Sequence, residues 1–140
     1  MVALSGKTVV ADARVNPNGT LNFIRWSRRQ LDGPALRSMA LMRRWHEMAD
    51  IDHRLHTAMK GLTCNDLAST LLHAHKPSFD IWEEEEGHHY YTQLVQAQAL
   101  DQGAYWFAQT GTLTQARNAS ITAGELIRNL DKFWHKSASF

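Results

Sequence analysis

Asp32-Gly33-Pro34-Ala35-Leu36-Arg37-Ser38-Met39-Ala40-Leu41-Met42-Arg43-Arg44-Trp45-His46-Glu47-Met48 reads as one amphipathic helix. Pro34 suits the first helical position, where a backbone N–H has no intrahelical partner to lose. From there Ala35, Leu36, Met39, Ala40, Met42, Trp45 and Met48 recur at steps of three and four, a broad apolar stripe. The same period returns on the C-terminal side. Leu55, Ala58, Met59, Leu62, Leu67, Leu71 and Leu72 predict a second helical stretch from about Arg54 to His75. Gly61 and the Thr63-Cys64-Asn65-Asp66 stretch predict a break within it, with Thr63 and Asp66 as caps of a restart. Lys76-Pro77-Ser78 ends it, because the residue before proline avoids the α region. Tyr90, Leu94, Ala97, Ala99, Leu100, Tyr105, Phe107 and Ala108 mark a third helix. Gly103 is tolerated there at some cost, and Gly111 is its stop. Thr122-Ala123-Gly124-Glu125 has capping-box spacing and predicts a last helix through Leu126, Ile127, Leu130, Phe133 and Trp134. On the N-terminal side, Thr8-Val9-Val10-Ala11 and Leu21-Asn22-Phe23-Ile24 flank the turn signal Asn16-Pro17-Asn18-Gly19. The expected fold class is therefore all-α: mainly helical over residues 26–140, after an irregular or β-like lead-in over 1–25 with a short hairpin or loop.

Composition narrows the function classes. The chain has 140 residues, enough for one ordinary domain, and is 44% hydrophobic. Fifteen Lys and Arg against fourteen Asp and Glu leave a formal net charge of +1, which gives no field to attract nucleic acid or an anionic membrane. The single cysteine, Cys64, excludes an internal disulfide framework and a cysteine-based zinc site, and reads as an inert buried thiol. No segment is long and apolar enough to span a bilayer. Residues 1–10 do not read as a signal peptide, so the chain as written is expected to be cytoplasmic. Five tryptophans are a large aromatic content for a core or a stacking pocket, with Trp45 and Trp134 on helical stripes and therefore expected in the core.

The densest candidate site is Asp80-Ile81-Trp82-Glu83-Glu84. Sugars stack their C–H faces on aromatic rings and donate hydroxyls to carboxylates. Cleaving a glycosidic bond takes one protonated acid at the leaving oxygen and one carboxylate that activates water or attacks. An acid that donates near neutral pH needs a raised pKa, which a neighbouring carboxylate and an apolar wall supply. The competing reading is a solvated acidic helix start, since carboxylates favour helix N-termini. Histidines offer a rival: Glu85 and His88 stand in the i, i+3 relation of carboxylate-bridged metal bundles, with His73 and His75 nearby. Only one such motif is present, so a small helical metalloprotein using Glu85, His88 and His73 is the weaker alternative. Arg28, Arg29 and Arg37 near Trp26 form a small basic patch, without the glycine-rich cradle of a phosphate site.

Arg25-Trp26-Ser27-Arg28-Arg29-Gln30-Leu31-Asp32-Gly33-Pro34-Ala35-Leu36-Arg37 resembles the Trp-Gly-Arg-Pro-Gln-x-Asp-Gly-Pro-Ala-Leu-Arg stretch of the glucoamylases, glycoside hydrolase family 15. Asp80-Ile81-Trp82-Glu83-Glu84-x-x-Gly87 resembles that family's active-site signature. Asn65-Asp66-Leu67, Tyr90-Tyr91-Thr92 and Gln98-Ala99-Leu100-x-x-Gly103 fall in the family's order, and the likeness runs from about Asn22 to Phe140. It implies part of an (α/α) toroid ringing a sugar pocket. It implies Glu83 as the general acid, Asp80 as its electrostatic partner, and Glu84, Trp82, Trp26 and Arg28 as sugar contacts. The implied reaction is inverting hydrolysis of α-glucosidic bonds from non-reducing ends of an α-glucan or α-gluco-oligosaccharide, with no cofactor, metal, nucleic acid or membrane.

The departures are local and large. Ser27 replaces the usual Gly, Arg29 the usual Pro, and Pro77-Ser78 a Ser/Thr-Gly pair. The early Trp-x-Arg-Asp motif that grips the terminal sugar, and the late glutamate that activates water, have no match here. The resemblance thus implies one partial catalytic domain over residues 1–140, inactive alone. Its partners would be the remainder of its own domain or a second copy. The alternative is a non-catalytic interaction or sugar-binding remnant of the same fold. Helices apolar on several faces would then leave apolar surface exposed.

Overall fold

The computed structural model describes residues 17–18 and 30–134. The expected N-terminal hairpin lies outside these, apart from a turn at residues 17–18, and so do Trp26 and Arg28. The described chain is four helices and one small two-stranded sheet: α1 (Gly33–Ala49), α2 (His53–His73), β1 (Ser78–Phe79), β2 (Glu86–Gly87), α3 (Tyr90–Thr110) and α4 (Leu113–Leu130), followed by a 3-10 turn at Asp131–Phe133. β1 and β2 pair antiparallel, Ser78 opposite Gly87 and Phe79 opposite Glu86. Among the described residues no helix is long and apolar enough to cross a membrane.

Helix α3 is the centre of the assembly, packed against α4 most extensively and touching α1 and α2 on its other side. Its interface with α4 sets alanines against large apolar side chains. Ala97 and Phe107 of α3 meet Ala119, Ala123 and Leu126 of α4 in one buried cluster that Leu67 of α2 joins. On the other side Ala35 of α1 packs with Val95 and Ala99. Trp45 is in the core as expected, stacked on His56 of α2 with ring centroids 3.6 Å apart and edge-on to Trp106 of α3 at 5.7 Å. Gly103 has a steric reason to be glycine: a Cβ there would stand 2.7 Å from Leu67 Cδ2, so α2 and α3 meet where no side chain fits.

Pro34 opens α1, and Asp52 caps α2 by accepting from the backbone N–H groups of Arg54 and Leu55. Three expectations fail. The predicted break in α2 is absent, because Asp66 does not cap a helix. Its carboxylate is fully buried and accepts two hydrogen bonds of 2.7 Å from Arg37 of α1, one from Nε and one from Nη2. Helix α4 starts nine residues before the predicted Thr122. Gly111 ends α3, and Thr112 with Gln115 makes the capping box that starts α4 immediately afterwards. Thr122 lies mid-helix, and the stripe Ala116, Ala119, Ala123 and Leu126 is too short in side chain to stand out as a helical signal. Trp134 is 74% exposed, since the 3-10 turn ends the stripe before it and leaves Trp134 in extended backbone.

The Arg37–Asp66 pair is asymmetric, with side-chain exposures of 46% and 0%. Removing Arg37 strands a buried carboxylate, whereas removing Asp66 leaves an arginine that can return to water. Arg37→Met is therefore expected to lower unfolding free energy by about 3 kcal/mol and Asp66→Ala by clearly less. Urea denaturation of the two variants checks this, and equal losses would refute the asymmetry.

Candidate active site

The acidic run is a hairpin loop, not a helix start. It runs from the end of β1 into β2, and α3 begins only at Tyr90 with His89 as its N-cap. Asp80 organises the loop. Its N–H donates to the Glu85 carbonyl (3.0 Å), and its own carbonyl accepts from the Glu83 N–H (3.0 Å). Its carboxylate Oδ1 accepts from the N–H groups of Glu84 (2.8 Å) and Glu85 (3.4 Å). These bonds, the Glu84 N–H first, hold the Asp80 carboxyl below the usual aspartate range, with His89 helping and desolvation opposing. Asp80 is thus a fixed negative charge at the base of the loop.

This closure puts Glu83 in the left-handed region at φ 61°, the one such non-glycine residue among those described. Residues with a Cβ avoid this conformation at roughly 1–2 kcal/mol. Strain of this kind persists where the surroundings impose it, and it concentrates at functional sites. Its effect here is to separate Glu83 from its neighbours. Glu83 is half-buried with carboxylate Oε2 shielded from solvent, while Trp82 (76% exposed) and Glu84 face outward.

The hairpin is bolted to Gln30 and Leu31, just before α1. The Leu31 N–H donates to Ser78 Oγ (3.0 Å), and Gln96 Nε2 donates to the Leu31 carbonyl (3.2 Å). Gln30 Nε2 reaches the Asp80 carbonyl at 3.4 Å. Leu31, Ser78 and Gln96 are all buried, so both polar groups of one main-chain residue are satisfied by side chains from β1 and α3. Two stretches nearly fifty residues apart in sequence are thereby held together. Ser78 is visible in the sequence only as a departure, and Gln96 carries no signal, because its partner is a distant backbone carbonyl.

Of the six site candidates, Asp80, Trp82, Glu83 and Glu84 stand on the one loop, and Trp26 and Arg28 lie outside the described residues. The rival clusters do not assemble. Among the described residues no group of three His, Cys, Asp or Glu is placed to hold a metal ion. His73, one of the three ligands that reading required, turns Nδ1 to the Ser69 carbonyl within its own helix at 2.8 Å. Arg37, one of the three cations of the basic patch, is committed to Asp66. Cys64 is half-buried, and burial pushes its thiol up, against a smaller opposing effect of Lys60.

Known proteins resemble this chain in sequence and in fold. The sequence profile described as Glycosyl hydrolases family 15 matches residues 16–140. The chain belongs to this family. A probable glucoamylase of Schizosaccharomyces pombe is 30% identical over 127 residues, covering 89% of this chain and 28% of that protein. A glucoamylase of Blastobotrys adeninivorans is 32% identical over 124 residues, covering 78% of this chain and 19% of that one. The solved glucoamylase of Saccharomycopsis fibuligera superposes with a TM-score of 0.74 at 29% identity, over 82% of this chain and 26% of its own. That of Hypocrea jecorina gives 0.69, also at 29% identity, over 81% and 19%. The chain therefore spans less than a third of the length of these relatives. Family 15 glucoamylases are (α/α)6 barrels, and the helices here are a segment of that toroid.

Two outcomes follow from the loop. Asp80 has a lowered folded-state pKa, so its contribution to stability is full above the ordinary aspartate range and is lost as pH falls through the lowered value. Between pH 7 and about pH 3, Asp80→Asn should show a flatter loss of stability in urea titrations than the parent chain; parallel curves would count against the bonds to Glu84 and Glu85. Glu83→Gly relieves the left-handed backbone and should stabilise the chain by up to about 1 kcal/mol. A lower melting temperature in that variant would show that the conformation carries no strain.

Proposed function

We propose that this chain supplies the acid side of a glucoamylase-type site, for inverting hydrolysis of α-glucosidic bonds from the non-reducing ends of α-glucans. Glu83 is the proton donor to the glycosidic oxygen. Asp80 is the fixed charge beside it and the organiser of its loop. Trp82 and Trp26 stack on sugar faces, and Glu84 and Arg28 hold hydroxyls. The observation that carries this reading is the conformation of Glu83, with a strained backbone and a half-shielded carboxylate, next to an exposed tryptophan on a loop tied to Gln30 and Leu31.

Chemistry sets the limit of what residues 1–140 do alone. Inversion needs a second carboxylate about 6.5–9.5 Å from the acid with water between. Asp80 accepts two backbone N–H groups, which directs its carboxylate into the loop and away from a water across the sugar ring. No other residue here matches the family's base. The chain is one partial catalytic domain, and its partners are the glucan and the remainder of that domain. Exposed Leu55, Leu62 and Leu72 on α2 and Leu113, Ile121 and Ile127 on α4 support an assembly in which further helices cover those faces.

The purified chain is expected to release no glucose from maltose or isomaltose in a coupled assay. Glucose release that disappears in Glu83→Gln would overturn the partial-domain reading. Maltose should still quench tryptophan fluorescence in a saturable way, and Trp82→Ala should abolish most of that quenching; a chain whose fluorescence ignores maltose lacks the proposed sugar contact. Binding without turnover is also what a non-catalytic sugar-binding remnant would show. The commitment of the Asp80 carboxylate to its own loop favours that second reading for the isolated chain.

A further inference from the structure

Helix α3 grips the hairpin at two places. One is Gln96, through the Leu31 carbonyl. The other lies seven residues earlier, two helical turns toward the N-terminus. His89 is the N-cap residue of α3, a place where favoured side chains turn forward onto the first free N–H groups of the helix. His89 makes no such bond. Its ring turns back across Gly87, where a Cβ would stand 3.6 Å from both Cε1 and Nε2, and Nε2 comes 3.1 Å from the Glu85 carbonyl. A carbonyl only accepts, so Nε2 carries the proton and donates.

That carbonyl is the knot of the Asp80–Glu85 loop. It also accepts the Asp80 N–H at 3.0 Å, so with His89 both of its lone pairs are in use. Asp80 passes the constraint on, because its own carbonyl accepts the Glu83 N–H at 3.0 Å. Three hydrogen bonds therefore lead from the start of α3 to the backbone of Glu83, the residue held at φ 61°. Without the first of them, the loop is anchored to the rest of the chain through Ser78, Gln30 and Leu31, all on the side of β1. An anchor on one side leaves a short ladder free to pivot; a second, from α3 to the returning strand, stops the pivot.

We propose that His89 is a positioning residue for Glu83: its Nε2–H clasps the Glu85 carbonyl and so fixes where the left-handed turn presents the Glu83 side chain. It acts through the backbone of the loop and touches no substrate. Such a clasp matters because a reacting group displaced by about 1 Å loses much of its effect. The consequence for proton donation rests on the reading of Glu83 above; the clasp itself does not.

The test is NMR on the full chain. Long-range proton–nitrogen spectra of the neutral imidazole are expected to show His89 as the Nε2–H tautomer, and the Nδ1–H tautomer overturns the proposal. Amide exchange then reads the clasp. His89→Phe keeps a flat ring and removes the donor. The Asp80 and Glu83 N–H groups should then exchange roughly tenfold faster, the effect of about one lost hydrogen bond, while amides in the middle of α3 and α4 keep their rates. His89→Gln brings a side-chain N–H close to the place of Nε2 and should restore the parent rates. His89→Phe exchanging like the parent overturns the clasp, and so does His89→Gln exchanging like His89→Phe, since only the packing of the ring would then matter. Maltose quenching of tryptophan fluorescence should follow the same order, with the parent and His89→Gln alike and His89→Phe weaker. A parent chain whose fluorescence ignores maltose while the exchange pattern holds removes the sugar reading and leaves the clasp standing.

Discussion

Both backbone polar groups of Leu31 are buried, and neither has a place in a helix or a sheet ladder. Everything near the candidate acid follows from how they are satisfied. Ser78 receives the N–H, Gln96 supplies a donor to the carbonyl, and so the hairpin, α3 and the chain leading into α1 share one fixed point. A buried main-chain group without a partner costs about as much as a lost hydrogen bond, so the arrangement has little freedom to slide. From that point the hairpin stands up as a short ladder closed by Asp80, and the closure forces Glu83 into its left-handed turn. The strain at Glu83 and the burial of Leu31 are two ends of one mechanical path.

The helices themselves obey a different constraint. Alanine and glycine where α3 meets α4 and α2 let helices approach closely, and dispersion attraction between them weakens steeply as that distance grows. Larger side chains would lift α3 from its neighbours, and with it Gln96, one half of the Leu31 clamp. Core packing and site geometry are therefore coupled through a residue that belongs to both.

Much of this is legible in the sequence, and the remainder is not for identifiable reasons. Pro34, Pro77 and Gly111 mark element ends through their own backbone chemistry, so α1, the end of α2 and the end of α3 can be read locally. Glu83 and its neighbours are legible as a motif. Asp66 is not, because its meaning depends on Arg37 one helix away; locally it is an ordinary capping residue. The start of α4 is ambiguous because two segments satisfy the same capping pattern, Thr112 with Gln115 and Thr122 with Glu125, and tertiary contact with α3 selects between them. The Ser78–Leu31–Gln96 bridge spans 47 and 65 residues, a range at which no periodicity or cap carries information.

Between α3 and α4 there are only Gly111 and Thr112. This two-residue corner makes the largest helix pair in the structure a local one, whose formation costs little loop-closure entropy. The bridge to Leu31 is a long-range contact and costs more. In time, the helical hairpin is a structure the chain can assemble early and the Asp80–Glu85 loop one it completes late. In a partly denatured population the order reverses: circular dichroism would still record helices after the loop that aims Glu83 has come undone. Helix content is therefore a poor proxy for an intact hairpin in this chain, and a variant can look folded by that measure while the Asp80–Glu85 loop is already open.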